Sequence, residues 1–414
     1  NLCLAGGVAL NCVANGKILR EGNQKNLWIQ PAAGDAGGAI GAALAAYYLH
    51  LEQPRKQVGS GDSMRGGYLG PVFPNEDIIT YLKEVGAQFE ILQEENLVRK
   101  CVEILKEGKA LGWFQGKMEW GPRALGNRSI LAHPGLPTTK ETLNARIKQR
   151  ESFRPFAPAV LVDKVEKYFD LNKSSPYMMF VSPVHKERRL PFVRSNTEDM
   201  LEVVRQPRSD IPAVTHIDYS ARIQTIARDD HREFYDLIKS FEELTGYGIV
   251  INTSFNVRGE PIVNTPMDAY RCFMYTDMDV LVLENFFLLK EEQVKIDKKK
   301  NSFKDLNEEI FKKDDNFLRK QLESLYKKNF ISISDKVKEI LYYKKNESSY
   351  WFSCKNHRDL SEIFDIPVDL DIQNSDPQKM TRSIIKFWRN DSFALILEPI
   401  LIRLLSLSQK YPLE

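Results

Sequence analysis

The last 155 residues of this 414-residue chain contain no glycine; all 23 lie at or before Gly259. A uniform single domain does not distribute its turns this way, and at ~100–200 residues per domain the length predicts two or three. Cysteine is scarce as well: Cys3, Cys12, Cys101, Cys272 and Cys354 are scattered, odd in number and form no C-x-x-C pair. That excludes a small disulfide scaffold, argues against a structural zinc site and suits reduced thiols in a cytoplasm. No clean apolar run reaches the ~20 residues of a membrane span. The strongest late one, Phe393 to Leu407, is interrupted by Glu398, Pro399 and Arg403 and reads as a buried tail helix. A nucleic-acid binder's basic excess is missing too: the formal charge is +2, and the tail from Lys295 holds 18 Lys and 5 Arg against 11 Asp and 8 Glu, leaving −2 for residues 1–294. The six histidines are not spaced to share a metal on one helix, and no G-x-S-x-G occurs, which disfavours a self-contained metal site and a hydrolase triad. With Asn1 first and no basic segment before the apolar start, the expectation is a chain entered partway through a domain, without a signal peptide.

What is present is α/β. Residues 1–5 form a short apolar strand, a Gly6-Gly7 turn follows, and a helix is predicted from Val8 to Ile18. Leu27–Gln30 repeats the pattern, running through a glycine loop into the alanine-rich helix Ala39–Leu49. Two such units point to an α/β layer. Gln53–Asn75, rich in Pro, Gly, Ser and charge, reads as a linker. Helices are then predicted near Asp77 and over Glu95–Glu107, with strands at Phe89–Leu92, Ala110–Phe114, Gly248–Ile251 and Val280–Leu283, giving a mixed α+β region. Beyond Glu291, clustered lysines with apolar residues at helical intervals suggest a mostly helical appendage. The divisions are therefore 1–65, 66–294 and 295–414.

Candidate chemistry gathers in the glycine-bearing loops. Gly6, Gly7, Asn11 and Asn15 in the first loop suit a phosphate or ribose, with a plain βα turn an equal alternative. Asp35, Gly37 and Gly38 follow in the second, where a lone aspartate at a helix start is more often a cap than a metal ligand. After the strand ending at Phe114 come Lys117, Arg123 and Arg128 among three glycines, then Lys148, Arg150 and Arg154 with two prolines. Arginine forks with free backbone N–H groups are what a phosphate dianion wants; a solvated basic face is the bland alternative. Thr215–Gln224, read as a strand, aligns His216, Asp218, Ser220, Arg222 and Gln224 on one face. Ser254, Asn256 and Arg258 crowd a turn after the strand at Gly248, a pattern that caps and turns also use. Together these residues point to polyanion handling with mainly electrostatic catalysis.

At these residues the sequence resembles the O-carbamoyltransferases that include nodulation protein U and the carbamoyltransferases of cephamycin and tobramycin synthesis. The motifs G-G-V-A-L-N at 6, P-A-A-G-D-A-G-G-A-I-G at 31, M-E-W-G-P-R-A-L-G-N-R-S-I-L-A at 118, F-R-P-F-A-P at 153 and N-T-S-F-N-V-R-G-E-P-I-V at 252 stand in that family's order over roughly 1–290. The resemblance implies an actin/Hsp70/sugar-kinase-like domain joined to a threonylcarbamoyl-adenylate-synthase-like (YrdC-like) domain. It implies that carbamoyl phosphate and ATP, with Mg, give carbamoyl-adenylate and pyrophosphate, after which the carbamoyl group passes to an acceptor hydroxyl of a saccharide or secondary metabolite.

By the same resemblance, Lys148-x-Arg150 and Ser254-x-Asn256 are the adenylate-forming marks. Arg123, Arg128, Arg150 and Arg154 would hold phosphates, with Lys117 and Lys148 as point charges, while Gly6, Gly7, Asn11 and Asn15 would face nucleotide. Asp35 would be one ligand of a divalent metal, iron by the family's usage, whose His-x-x-x-His partners would lie before Asn1. The chain is thus expected to complete adenylation without the transfer step. His133 stands where the family has an acidic residue and Tyr219 where it has glycine, each expected to alter the pocket. No nucleic-acid or membrane partner is expected, and a homodimer is left open. The other readings are a degenerate nucleotide-binding interaction protein using the lysine-rich tail, and a tRNA threonylcarbamoyl-type enzyme, disfavoured by the −2 charge of residues 1–294.

Overall fold

A computed structural model describes residues 1–55, 62–192 and 200–294, together with two strands of the tail. Residues Asn1–Ile310 form one compact unit and Phe311–Glu414 another, and each is taken by itself. The first unit is mixed α/β. Strands β1 (Leu2–Leu4) and β2 (Leu27–Ile29) pair in parallel, with Cys3 opposite Trp28. Between them a 3-10 turn, Gly7–Leu10, precedes helix α1 (Cys12–Glu21). The helix starts four residues later than expected because Asn11 is its cap, its Oδ1 accepting from the Ala14 amide at 3.1 Å. Helix α2 (Asp35–Ala45) follows β2 and widens into a π turn over Ala46–His50.

The remaining strands form one sheet: β3 (Glu90–Ile91), β4 (Leu111–Phe114), β5 (Arg128–Ala132), β6 (Ala157–Leu161), β7 (Phe180–Pro183), β8 (Ser220–Ile226), β9 (Ile249–Ser254), β10 (Val280–Leu283) and β11 (Phe286–Leu289). Their order is β3-β11-β10-β4-β5-β9-β6-β8-β7, parallel at β10/β4 and β6/β8 and antiparallel elsewhere. The helices are α3 (Asn75–Glu84), α4 (Glu94–Lys106), the one-turn α5 (Thr139–Thr142) and α6 (Val165–Tyr168), α7 (Met200–Arg205), α8 (Arg232–Thr245) and α9 (Pro266–Tyr275). Strands buried on both faces need no polar alternation, which is why Leu111–Phe114 and Val280–Leu283 are legible as plain apolar runs. Against them Leu97, Cys101 and Leu105 of α4 pack with Phe234, Leu237, Ile238 and Phe241 of α8. Helix α8 is bounded as its sequence demands: His231 caps its start, and Gly246 ends it in the left-handed conformation, φ 81°. None of the helices among the described residues is long and apolar enough to cross a membrane.

In the tail, the described residues correct the expectation of helix. Leu341–Asn346 and Ser349–Cys354 are antiparallel strands, with Tyr343 opposite Phe352 and Lys344 opposite Trp351. Aromatic residues favour a pleated surface, and they outweigh the helical spacing of the apolar residues here. The expected helix at Phe393–Leu407 lies outside the described residues.

The short first segment is built onto the large sheet. Helix α1 lies against β7 so closely that a Cβ on Gly16 would stand 2.1 Å from the Val181 carbonyl oxygen. That oxygen also accepts from Arg20 at 2.8 Å. We therefore expect Gly16→Ala to force α1 off β7 and to destabilise by about 1–3 kcal/mol in denaturant titration. Gly38→Ala in α2, where a Cβ meets no atom within 4 Å, should leave stability equal or up to ~1 kcal/mol higher.

Candidate active site

The site starts from a buried lysine. Helix α5 passes into a π turn, Leu143–Lys148, that stops where Gln149 turns left-handed at φ 49°. The loop beyond is wound round Asn144: its Nδ2 donates to the carbonyls of Ser152 (3.1 Å) and Arg154 (2.8 Å), and its Oδ1 accepts from Arg150 Nε at 2.6 Å. Lys148, only 5% exposed, reaches the end of β9. Its Nζ donates to Asn256 Oδ1 (2.8 Å), Asn256 O (3.1 Å), Ser254 Oγ (3.1 Å) and, closest, Ser254 O. Ser254 Oγ in turn donates to Asn256 Oδ1 at 2.7 Å, and Asn256 Nδ2 to the Glu260 carbonyl at 2.7 Å. The two halves of the expected mark, Lys148-x-Arg150 and Ser254-x-Asn256, are thus in direct contact. Burial, with Arg150 adding repulsion, brings the Lys148 pKa down to about 7 against the opposing influence of Cys272.

Three arginines stand near this clamp. Arg222 of β8 is pushed down to about 10 by burial first, then by the charge of Arg123, with Arg150 adding to it. Arg150 is lowered by burial and by Arg154, and its guanidinium lies 4.9 Å over the Phe156 ring. Arg123 donates to the thiol of Cys12 at 3.8 Å, a thiol that also accepts from Arg222, while its own Nε is buried with no acceptor among the described residues. The exposed Arg154 pairs with Glu151 at 2.9 Å. Among the described residues no ion pair to a carboxylate is seen for Lys148, Arg123, Arg150 or Arg222. Unneutralised cations with partly unused donors form a site prepared for an anion.

Other expected residues are placed differently. Arg128 is fully buried in β5 and donates to the carbonyls of Gln115 (2.8 Å), Asn127 (3.0 Å), Gly116 (3.2 Å) and Pro71 (3.3 Å), stacked 3.5 Å from the Phe114 ring. Four backbone acceptors occupy both terminal nitrogens and leave only its buried Nε without a partner among the described residues, so Arg128 holds the loop. Asn15 is also buried, its Nδ2 donating to Ala9 O (2.8 Å) and Met179 O (3.2 Å). It ties α1 to the large sheet rather than facing a nucleotide. Gly6, Gly7 and the capping Asn11 are exposed in their turn; Gly37 and Gly38 lie in the first turn of α2. Lys117 and Arg258 are exposed side chains.

The strand expected over Thr215–Gln224 begins only at Ser220. Residues 216–219 form a turn in which His216 N donates to Ser220 O at 2.8 Å and Tyr219 N to His216 O at 3.1 Å. Tyr219 sits at φ 63°, a left-handed conformation glycine adopts freely, which gives the family's glycine there a backbone reason. His216 Nδ1 lies 3.1 Å from Ser220 Oγ, which donates to Asp218 Oδ1 at 2.6 Å. Burial holds the His216 pKa below its ordinary value. His133 is a core residue, packed edge-on against Phe241 and Tyr247 at 5.2 Å.

Asp35 is exposed in the first turn of α2, and the described residues hold no group of three or more His, Cys, Asp or Glu able to bind a metal. A single exposed carboxylate does not fit an iron site. Conversely, Cys12, Glu119 and Asn144 were not singled out by their sequence. For Glu119 the available signal was an acid two residues ahead of Gly121 in a loop otherwise rich in cations.

A family model described as the carbamoyltransferase C-terminus matches residues 102–290, and one described as the carbamoyltransferase N-terminus matches residues 1–44. The chain belongs to the carbamoyltransferase family. Similar curated proteins are the uncharacterized protein sll1178 of Synechocystis sp., 56% identical over 71% of this chain and 48% of its own length, and nodulation protein NolNO of Sinorhizobium fredii, 39% identical over 70% of this chain and 40% of its own. Nodulation protein NolO of Bradyrhizobium diazoefficiens is 38% identical over 70% of this chain and 49% of its own length. The chain thus spans about half the length of the curated relatives it matches, or somewhat less.

Lys148 carries its charge below a pH of about 7 and sheds it above, whereas His216, held below its ordinary value, is already neutral there. Anion affinity should therefore be greatest at low pH and fall as pH rises through the Lys148 pKa. Sulfate, whose own charge is constant from pH 6 to 9, is the probe. Calorimetry at fixed ionic strength should show at least about threefold weaker binding at the upper limit, and Lys148→Met should bind weakly with a flat profile over pH 7–9.

Proposed function

We propose that residues 66–294 of this carbamoyltransferase form a threonylcarbamoyl-adenylate-synthase-like domain that activates carbamoyl phosphate with ATP, and that residues 1–65 are part of a kinase-like transfer domain. The observation that carries the reading is the Lys148 clamp on Ser254 and Asn256 beside Arg123, Arg150 and Arg222. ATP brings Mg with it, and the arginines bind the phosphates that the metal does not cover. Balance requires a water: it displaces orthophosphate from carbamoyl phosphate, its protons leaving with the phosphate, and frees carbamate. A carbamate oxygen then bonds the α-phosphorus of ATP as the bond to the β-phosphate oxygen breaks, giving carbamoyl-adenylate and pyrophosphate. Negative charge gathers on the departing phosphates in both steps, where fixed guanidinium groups stabilise it most.

The acceptor is a hydroxyl of a saccharide or secondary metabolite. The reaction belongs in the cytoplasm, where both phosphorylated substrates are made. Since Asp35 alone does not fit the metal, transfer is assigned no step in these residues.

The chain with ATP and carbamoyl phosphate should release pyrophosphate and orthophosphate in equal amounts, both above a protein-free blank. Arg150→Ala should reduce the rate at least ~100-fold with the fold retained by circular dichroism. ATP binding without turnover would instead favour a degenerate nucleotide-binding module, and no pyrophosphate from the folded chain would overturn the adenylation reading.

A further inference from the structure

The arginine loop is closed by a residue outside the family motifs' cationic set. Glu119 is 4% exposed, and its Oε1 alone accepts from three backbone amides, those of Leu125 (2.6 Å), Asn127 (2.8 Å) and Arg128 (3.2 Å). One carboxylate oxygen thereby gathers residues six to nine positions ahead and turns 119–128 into a ring. Gly126 makes this possible: at φ 120° it faces its neighbours' amides inward, and a Cβ there would stand 2.5 Å from the Phe234 ring.

The ring is also held from outside. Trp120 donates from its amide to Gly67 O (2.6 Å) and from Nε1 to Ala36 O (3.1 Å). Leu125 O accepts from Tyr68 Oη (2.9 Å) and Gln224 Nε2 (2.7 Å), and Asn127 Oδ1 lies 2.7 Å from His231 Nε2. Arg123, by contrast, has only the Cys12 thiol among the described residues, where its Nε finds no acceptor. The frame is fixed and the guanidinium it carries is left open.

We infer that Glu119 is the positioning residue of the anion site: by closing the loop on its Oε1 it holds Arg123 in place opposite Arg222 before any anion arrives. Its Oε1 is saturated by amides, and its Oε2 has no hydrogen-bond partner among the described residues and lies in the field of Arg128, so Glu119 acts through the loop rather than on substrate. A preorganised donor loses less freedom on binding, which is where the affinity comes from. The inference rests on the proposed anion site, and the test separates the two.

Inorganic pyrophosphate binding is measured by calorimetry on the full chain for the wild type, Glu119→Gln, Glu119→Asp, Arg123→Ala and the Glu119→Gln/Arg123→Ala double variant, with melting curves alongside. Gln keeps the shape but loses the charge that strengthens the three bonds; Asp keeps the charge but withdraws the oxygen. Both should weaken pyrophosphate binding by about tenfold. Arg123→Ala should weaken it at least as much, and the double variant should match Arg123→Ala within about twofold, because residues acting as one unit are not additive. Three outcomes overturn the inference: unchanged or tighter binding in both Glu119 variants, a full further loss in the double variant, or weakening only in proportion to lost folded protein. A folded wild type that does not bind pyrophosphate overturns the anion site itself.

Discussion

The buried ammonium of Lys148 is the constraint on which the site depends. A cation taken out of water needs a full set of acceptors, and the chain provides them from the end of β9, where Ser254 and Asn256 are two residues apart. That requirement fixes the π turn against the sheet. It also fixes the course of the adjoining loop, because Gln149 must turn left-handed to send Arg150 back toward Asn144. The positions of Lys148, Arg150, Ser254 and Asn256 are therefore one condition rather than four. The acceptors around Lys148 are neutral, so its charge is solvated but not cancelled. Arg123, Arg150 and Arg222 add to that excess; burial first, and then repulsion from Arg154 on Arg150 and from Arg123 on Arg222, lowers the pKa values of these two arginines, a cost the folded state carries until an anion is bound.

How far this was legible in the sequence depended on burial. Val280–Leu283 and Leu111–Phe114 are readable because a strand covered on both faces is continuously apolar. Lys148, Arg150, Ser254 and Asn256 were readable as pairs through the family marks, although nothing in their local pattern says that the pairs meet. Arg128 and Asn15 are bonded to backbone carbonyls, a placement the sequence does not reveal because a cation or amide in a glycine-rich loop looks the same whether it faces a ligand or backbone carbonyls. Only the carbonyls of Gln115, Gly116 and Met179, distant in sequence or folded back on the loop, decide it. The strand through His216 failed for another reason: alternation of polar and apolar residues was sound from Ser220 onward, but Asp218 and Tyr219 make a turn that the same alternation conceals. For Glu119 the sequence offers only an acid in a loop otherwise rich in cations and says nothing of what it bonds, since its partners are backbone amides and carry no side-chain signature.

The stretch at 53–75 looks like a linker by composition, yet residues on its two sides share one compact unit, and the anion site lies where they meet. Gly16 and Arg20 press α1 onto Val181, Asn15 bonds Met179, and Trp120 of the arginine loop bonds Ala36 of α2. Through the same contact Cys12 comes between Arg123 and Arg222. Two guanidinium groups facing one another need something polarisable between them, and a thiol meets that need without supplying the full counter-charge a carboxylate would. An aspartate in its place would cancel half of the pair's charge and compete with any phosphate. The first segment therefore contributes to the electrostatics of the site as well as to the packing of α1, and the short strands β1 and β2 matter to the chemistry because they set the start of the helix that carries Cys12.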